Sequence, residues 1–222
     1  MKNLKNLLLP VLFGLFILNA NSQEMKADID NWPETAKKAA KAMMDKYGDP
    51  DEQTPSMLMW EETGPFTHTI VYKEEIQHDF PMPHKDVLEQ FINYDVPVDK
   101  YDDLAEFDGS VIVERTKGVM SARCDKEAAN LLALNLANDV IEDKRSVEEA
   151  REYYGEAIMA MLEGNKKDYL KELQFDVPQS NITNADETTM DMSKVKKLKE
   201  KMKEKGTKEK ENEKGMKEKD MN

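Results

Sequence analysis

The sequence predicts an α+β fold: a small antiparallel sheet from two hairpins, packed with about six helices and followed by a disordered or partly helical C-terminal tail. Three observations carry this expectation. Two pairs of β-rich runs flank turn signals. Several longer stretches repeat their apolar residues at helical spacing. A break in composition near residue 176 separates a chain able to bury a core from one that is not.

The first helix lies in "DNWPETAKKAAKAMMDKYG", where Ala36, Ala39, Ala40, Met43, Met44 and Tyr47 share a stripe between Pro33 and Gly48. The first hairpin joins Ser56–Glu62 to Phe66–Lys73 through Thr63-Gly64-Pro65. In its second strand a period of two places Phe66, His68, Ile70 and Tyr72 on one face, which makes His68 a core-edge residue holding one hydrogen bond. Short helices are expected from Lys85 to Asn93, from Asp99 to Phe107 and from Lys167 to Leu173. The second hairpin joins Ser110–Thr116 to Val119–Cys124. With Lys117-Gly118 as a two-residue turn, Val111 faces Cys124, Val113 faces Ala122 and Arg115 faces Met120, a register that gathers the apolar side chains and buries Cys124. "DKEAANLLALNLANDVIEDK" is apolar around most of its circumference and so belongs at the centre. "SVEEAREYYGEAIMAMLEG" opens with a capping box between Ser146 and Glu149.

Residues 1–22 read as a secretory signal peptide. Lys2 and Lys5 precede an apolar run from Leu7 to Leu18, and Ala20-Asn21-Ser22 offers a small-residue cleavage site before Gln23. The run is too short to span about 30 Å of hydrocarbon as a helix, so no transmembrane segment is expected in the mature chain. Residues 23–176 then form a single domain, and 177–222 a linker and charged low-complexity tail. From Gln23 to Met192 there are 38 acidic against 18 basic residues, a net −20, whereas Ser193 to Asn222 carries +5. So acidic a body repels phosphate, which argues against nucleic acid as a partner. Cys124 is the only cysteine, so an internal disulfide is impossible and the core must hold the fold.

Every histidine falls between Phe66 and Gln90: His68, His78 and His84, with Asp79 beside the second. These four are the candidate zinc ligands, or an acid/base set, if they converge. The connection "DFPMP" opposes convergence, because six extended steps of about 3.1 Å hold His78 and His84 roughly 19 Å apart unless the chain turns back at a proline. His84, at the start of the expected Lys85–Asn93 helix, is the one placed for chemistry, since a helix N-terminus keeps an imidazole neutral. Asp99, Asp102 and Asp103 are spaced like an acidic helix face rather than a calcium loop. A second candidate is an anion site on the hairpin, where Glu114, Ser121 and Arg123 share a face within a locally basic stretch. Neither a P-loop nor GxGxxG, GxSxG or HExxH is present.

Trp32-Pro33, Lys46-Tyr47-Gly48, Gly64-Pro65-Phe66, His78-Asp79-Phe80-Pro81 and "DGSVIVERTKGVMSARCDKE" form a pattern across about residues 32 to 175. In it the chain resembles a set of exported bacterial proteins of unassigned function. That resemblance implies an exported single domain and no particular chemistry. The functional expectation is an exported, non-catalytic binding or structural module, periplasmic or extracellular, serving a protein or other envelope partner. The alternative is a small metal-dependent or acid/base enzyme using the His68/His78/His84 segment. Intact mass of protein recovered from its native envelope or medium should show a chain beginning at Gln23; residues 1–22 still attached would overturn the export reading.

Overall fold

The structure is a computed structural model that describes residues 26–178 and 182–219; the expected signal peptide lies outside the described residues. Six antiparallel strands make one continuous sheet, β1 (Glu52–Thr54), β2 (Met57–Thr63), β3 (Phe66–His78), β4 (His84–Asn93), β5 (Val111–Glu114) and β6 (Val119–Cys124), in the order β1-β2-β3-β4-β6-β5. Five α-helices accompany it: α1 (Glu34–Tyr47), α2 (Tyr101–Phe107), α3 (Glu127–Ile141), α4 (Val147–Leu162) and α5 (Met192–Lys219). The α+β class is therefore as expected, and the two hairpins are present. They are joined, however, by a strand where a helix was expected, a short unexpected strand β1 is added beside β2, and the described residues hold five α-helices rather than about six.

That strand is β4. Val87, Leu88, Phe91 and Ile92 have helical spacing, but β4 pairs with β3 on one side and β6 on the other, and everything from Asp86 to Asn93 except Phe91 is buried. A strand covered on both faces reads as a continuous apolar run with embedded polar groups, which periodicity cannot distinguish from a short helix. The expected Lys167–Leu173 helix contracts to a single 3-10 turn at Asp168–Leu170, and Asp99–Phe107 divides into a 3-10 turn and α2.

Leu58, Val71, Leu88 and Cys124 lie opposite one another across β2, β3, β4 and β6, so they share a face. Helix α1 covers the β2–β4 end of that face with Ala36, Ala39, Ala40 and Met43, small enough to let Trp32 and Trp60 close the layer. Helices α3 and α4 cover the other end, over Ile92, Val111, Met120 and Ala122. Helix α3 is buried from Ala129 to Ile141, the central position its composition predicts. The capping box at Ser146 and Glu149 opens α4.

Two local expectations need correction. The buried row of β3 is Thr69 and Val71, because Trp60 pairs with Thr69; His68 is consequently exposed, and its ring Nδ1 is 3.2 Å from Thr67 Oγ1. Both rows of β3 contain apolar residues, so alternation alone could not choose between them. The β5–β6 hairpin pairs Val111 with Ala122 and Val113 with Met120, two residues out from the expected register. A shift of two keeps each side chain on its face, and Cys124 is buried as expected. The connection is a four-residue loop, 115–118, closed by Gly118 at φ 65°, where a Cβ would lie 1.3 Å from the Ile182 carbonyl oxygen. The tail, expected as disordered or partly helical, forms helix α5 over 192–219, with its side chains from 192 to 207 nearly all exposed.

Glu127, at the first turn of α3, ties three elements together. Its carboxylate accepts from Tyr47 Oη at 2.6 Å, Gln90 Nε2 at 2.9 Å and Lys46 Nζ. Burial pushes the acid up, but bonds from Lys46, Tyr47 and Gln90 outweigh it and hold it below 4.5. A carboxyl lowered in the folded state contributes stability that is present above its unfolded value and lost on acidification. Denaturant titrations should therefore show wild-type stability falling more steeply below pH 4.5 than that of Glu127→Gln; identical slopes would mean that Glu127 does not contribute.

Candidate metal centre

Strands β3 and β4 are joined by residues 79–83, and the connection reverses tightly instead of running extended. Phe80 anchors it: the ring packs on Tyr154 at 5.1 Å and Phe107 at 6.4 Å between centroids, with the Arg151 guanidinium stacked over it at 3.9 Å. The result is a direct pairing of His78 with His84, rings 4.9 Å apart. The expected separation of roughly 19 Å is thus overturned. A register change between Val71 and Ile76 turns the even-numbered end of β3 toward the helix-covered face, so that His78 joins His84 and Asp86 there.

Three potential ligand atoms, one each from His78, His84 and Asp86, lie within 4.8 Å of one another. His84 Nε2 is 3.0 Å from Asp86 Oδ1, and His78 Nδ1 is 3.3 Å from Asp86 Oδ2. Each group's remaining polar atom is engaged elsewhere. His84 Nδ1 meets the Met82 carbonyl at 2.8 Å, which makes Nδ1 the donor and leaves Nε2 with a lone pair when the ring is neutral. His78 Nε2 points to Asp108 Oδ1 at 3.6 Å. Asp86 Oδ2 accepts from Ser110 Oγ, while the buried Oδ1 has no aligned donor. Such outer partners, a carbonyl and a carboxylate behind the imidazoles and a hydroxyl behind the carboxylate, orient metal ligands in general.

The bond to Asp86, then that to Cys124, pushes His84 up to about 11 against the effect of burial. Burial raises Asp86, but His84 and Ser110 outweigh it and lower the carboxyl overall. Asp108 is raised, chiefly by burial, against a bond from the Ser110 N–H at 2.8 Å. Cys124 lies at the cluster's edge, Sγ 3.2 Å from His84 Nε2, and burial pushes its thiol up despite the imidazole. Beyond His84 and Cys124 a cavity of about 200 Å³ is lined by Pro81, Met82, Ala129, Tyr154, Ile158 and Met161.

Two of the four expected ligands are therefore brought together and two are not. His68 is exposed beside Phe91, 6.1 Å between ring centroids, and Asp79 is an exposed acceptor for Gln77. Asp86, Asp108 and Ser110 were not singled out from the sequence. The signal was available in His84-Lys85-Asp86: two residues apart on a strand, a histidine and a carboxylate share a face. The expected anion site does not form as a unit. Glu114 pairs with Lys117 at 2.9 Å, whereas Ser121 donates to the buried Glu89 at 2.7 Å, and Arg123 lies opposite Glu89 in the sheet. Glu89 thus takes the Ser121 hydroxyl, while the buried Arg123 Nε has no hydrogen-bond partner among the described residues.

No family model, curated protein or solved structure matches this chain. In guanidinium titrations, Ser110→Ala should cost about 1–3 kcal/mol, because it leaves a buried carboxylate short of a donor. His68→Ala should stay within about 0.5 kcal/mol of wild type. Equal losses for the two would show that the Ser110–Asp86 bond carries no special weight.

Proposed function

We propose that this protein is an exported, non-catalytic binding module whose ligand is a divalent transition-metal ion, zinc by preference, held by His78, His84 and Asp86. One observation carries the reading: three donor atoms lie within 4.8 Å of one another, while the other polar atoms of His84 and Asp86 are hydrogen-bonded to outer partners and that of His78 faces Asp108 at 3.6 Å. Two imidazoles and one carboxylate suit zinc and its neighbours, whereas calcium and magnesium prefer oxygen ligands throughout. Export rests on the leader-like residues 1–22 and on the resemblance to exported bacterial proteins. It places the site in the periplasm or outside the cell, where an envelope protein is the expected partner.

A second reading, a metal-dependent enzyme, is favoured by one feature. Three protein ligands and an adjacent cavity of about 200 Å³ are what a reactive zinc needs, with an open position for water or substrate. In that reading His78, His84 and Asp86 hold the ion, and His68 takes no part.

The test is zinc-dependent thermal stability of protein stripped of metal. At 100 times its dissociation constant, a ligand of the native state contributes about 2.7 kcal/mol, or a rise of roughly 5–10 °C for a domain of this size. The rise should vanish in His78→Ala, His84→Ala and Asp86→Ala and persist in His68→Ala. A wild type indifferent to zinc, or a shift that needs His68, would overturn the assignment.

A further inference from the structure

Resting on the three-ligand reading, we infer that Cys124 supplies the fourth ligand, so that the site is a closed Cys-His-His-Asp centre specific for thiophilic metal ions. The evidence is the arrangement around His84 Nε2. For bonds of about 2.0–2.1 Å to nitrogen or oxygen and about 2.3 Å to sulfur, ligand atoms on one tetrahedral ion stand roughly 3.3–3.6 Å apart. Around Nε2 the structure has Asp86 Oδ1 at 3.0 Å and Cys124 Sγ at 3.2 Å, matching two edges of such a tetrahedron; the sulfur is outside the set of ligand atoms that all lie within 4.8 Å of one another, so it has to shift inward to close the site. A cysteine alone would not make this argument. The second observation is Asp86: its side chain is 1% exposed, and Oδ1, aimed at the same nitrogen, has no aligned hydrogen-bond donor. A cation between Oδ1, Nε2 and Sγ would satisfy all three.

The fold supports the same assignment. Cys124 ends β6 opposite Leu88 of β4, so its thiol projects onto the helix-covered face that carries His84 and Asp86. The histidine nitrogen that Cys124 meets is the one left free by the Met82 carbonyl. The consequence is selectivity. A thiolate among the ligands favours zinc, cadmium and cuprous copper, and disfavours manganese and magnesium. It also fills the position that a hydrolytic zinc keeps for water, and so supports binding over catalysis.

Binding requires the thiol to lose its proton: the thiolate sulfur donates an electron pair to the ion, and the proton leaves to solvent. One proton is therefore released from Cys124 for each ion bound, in addition to any lost by His84.

Cobalt(II) absorption separates this inference from the reading beneath it. Titrating reduced, metal-free protein with cobalt(II) should give visible d–d bands of a tetrahedral ion together with a near-ultraviolet thiolate-to-cobalt charge-transfer band. In Cys124→Ser the charge-transfer band should be lost. Its zinc affinity should fall by more than the roughly 10–100-fold that removing an outer-shell partner costs. If Cys124→Ser fails to fold by circular dichroism, the wild-type charge-transfer band alone decides. Visible bands without charge transfer, and unchanged in the variant, would overturn the thiolate ligand and leave the three-ligand site standing. No cobalt or zinc binding by the wild type would overturn the three-ligand site, and the fourth ligand with it.

Discussion

The structure depends on β4 being paired on both sides. By bonding to β3 along one edge and β6 along the other, it joins the β1–β2–β3 meander to the β5–β6 hairpin, which is too small to be stable alone, and so makes one six-stranded sheet. The strand is central in a second sense, because its two faces do different work. Leu88, Gln90 and Ile92 face the helices, while Glu89 on the opposite face accepts from Tyr72 Oη and Ser121 Oγ. The carbonyl of Leu88 and the side chain of Gln90 are both tied to Asn130 at the start of α3, so the helix is pinned to the strand by polar bonds as well as by packing. Its first residues, His84 and Asp86, are the ones that carry the candidate chemistry.

Buried polar groups recur where elements meet, and most have partners. Asn135 of α3 donates to the Tyr169 and Glu172 carbonyls and accepts from the Gln174 N–H, which fastens the segment after α4 to the central helix. Asp139 accepts from Arg145 and from Tyr169 Oη, with Arg145 stacked on Tyr153. These satisfied groups cost little to bury and make the packing specific. The His84–Asp86 pair is of another kind. Removing one member of such a pair would leave a buried charge uncompensated, a loss of about 3–5 kcal/mol. Asp86 Oδ1 lies 3.0 Å from His84 Nε2 without a well-aligned hydrogen bond, so it is held there by charge more than by a directed bond.

The segment after the domain is less independent of it than its composition suggests. Pro178 accepts from Asn93 at the end of β4, Ile182 closes over Gly118, and Asn184 and Asp186 engage Arg115 on the β5–β6 loop. Arg115 on that loop, part of the locally basic stretch noted in the sequence, thus meets acceptors from the same chain. Beyond them the lysines of α5 from Lys194 to Lys205 are exposed, as are Leu198 and Met202 among them.

What the sequence determined by itself were the features set by neighbours along the chain. The stripe and stops of α1, the Ser146–Glu149 capping box, the apolar circumference of α3, both hairpins and the burial of Cys124 all follow from local spacing. The division between an acidic body and a lysine-rich end, and the leader-like start, are likewise matters of composition. Tertiary structure decided whatever depended on contact between distant segments. Whether "HKDVLEQFIN" was helix or strand turned on the edges of β3 and β6, and which row of β3 faced inward turned on the pairing of Trp60 with Thr69. The site depended on both. His78 and His84 meet because Phe80 finds Phe107 and Tyr154, residues 27 and 74 positions further along the chain, and that contact folds back a connection which local proline preferences would leave extended.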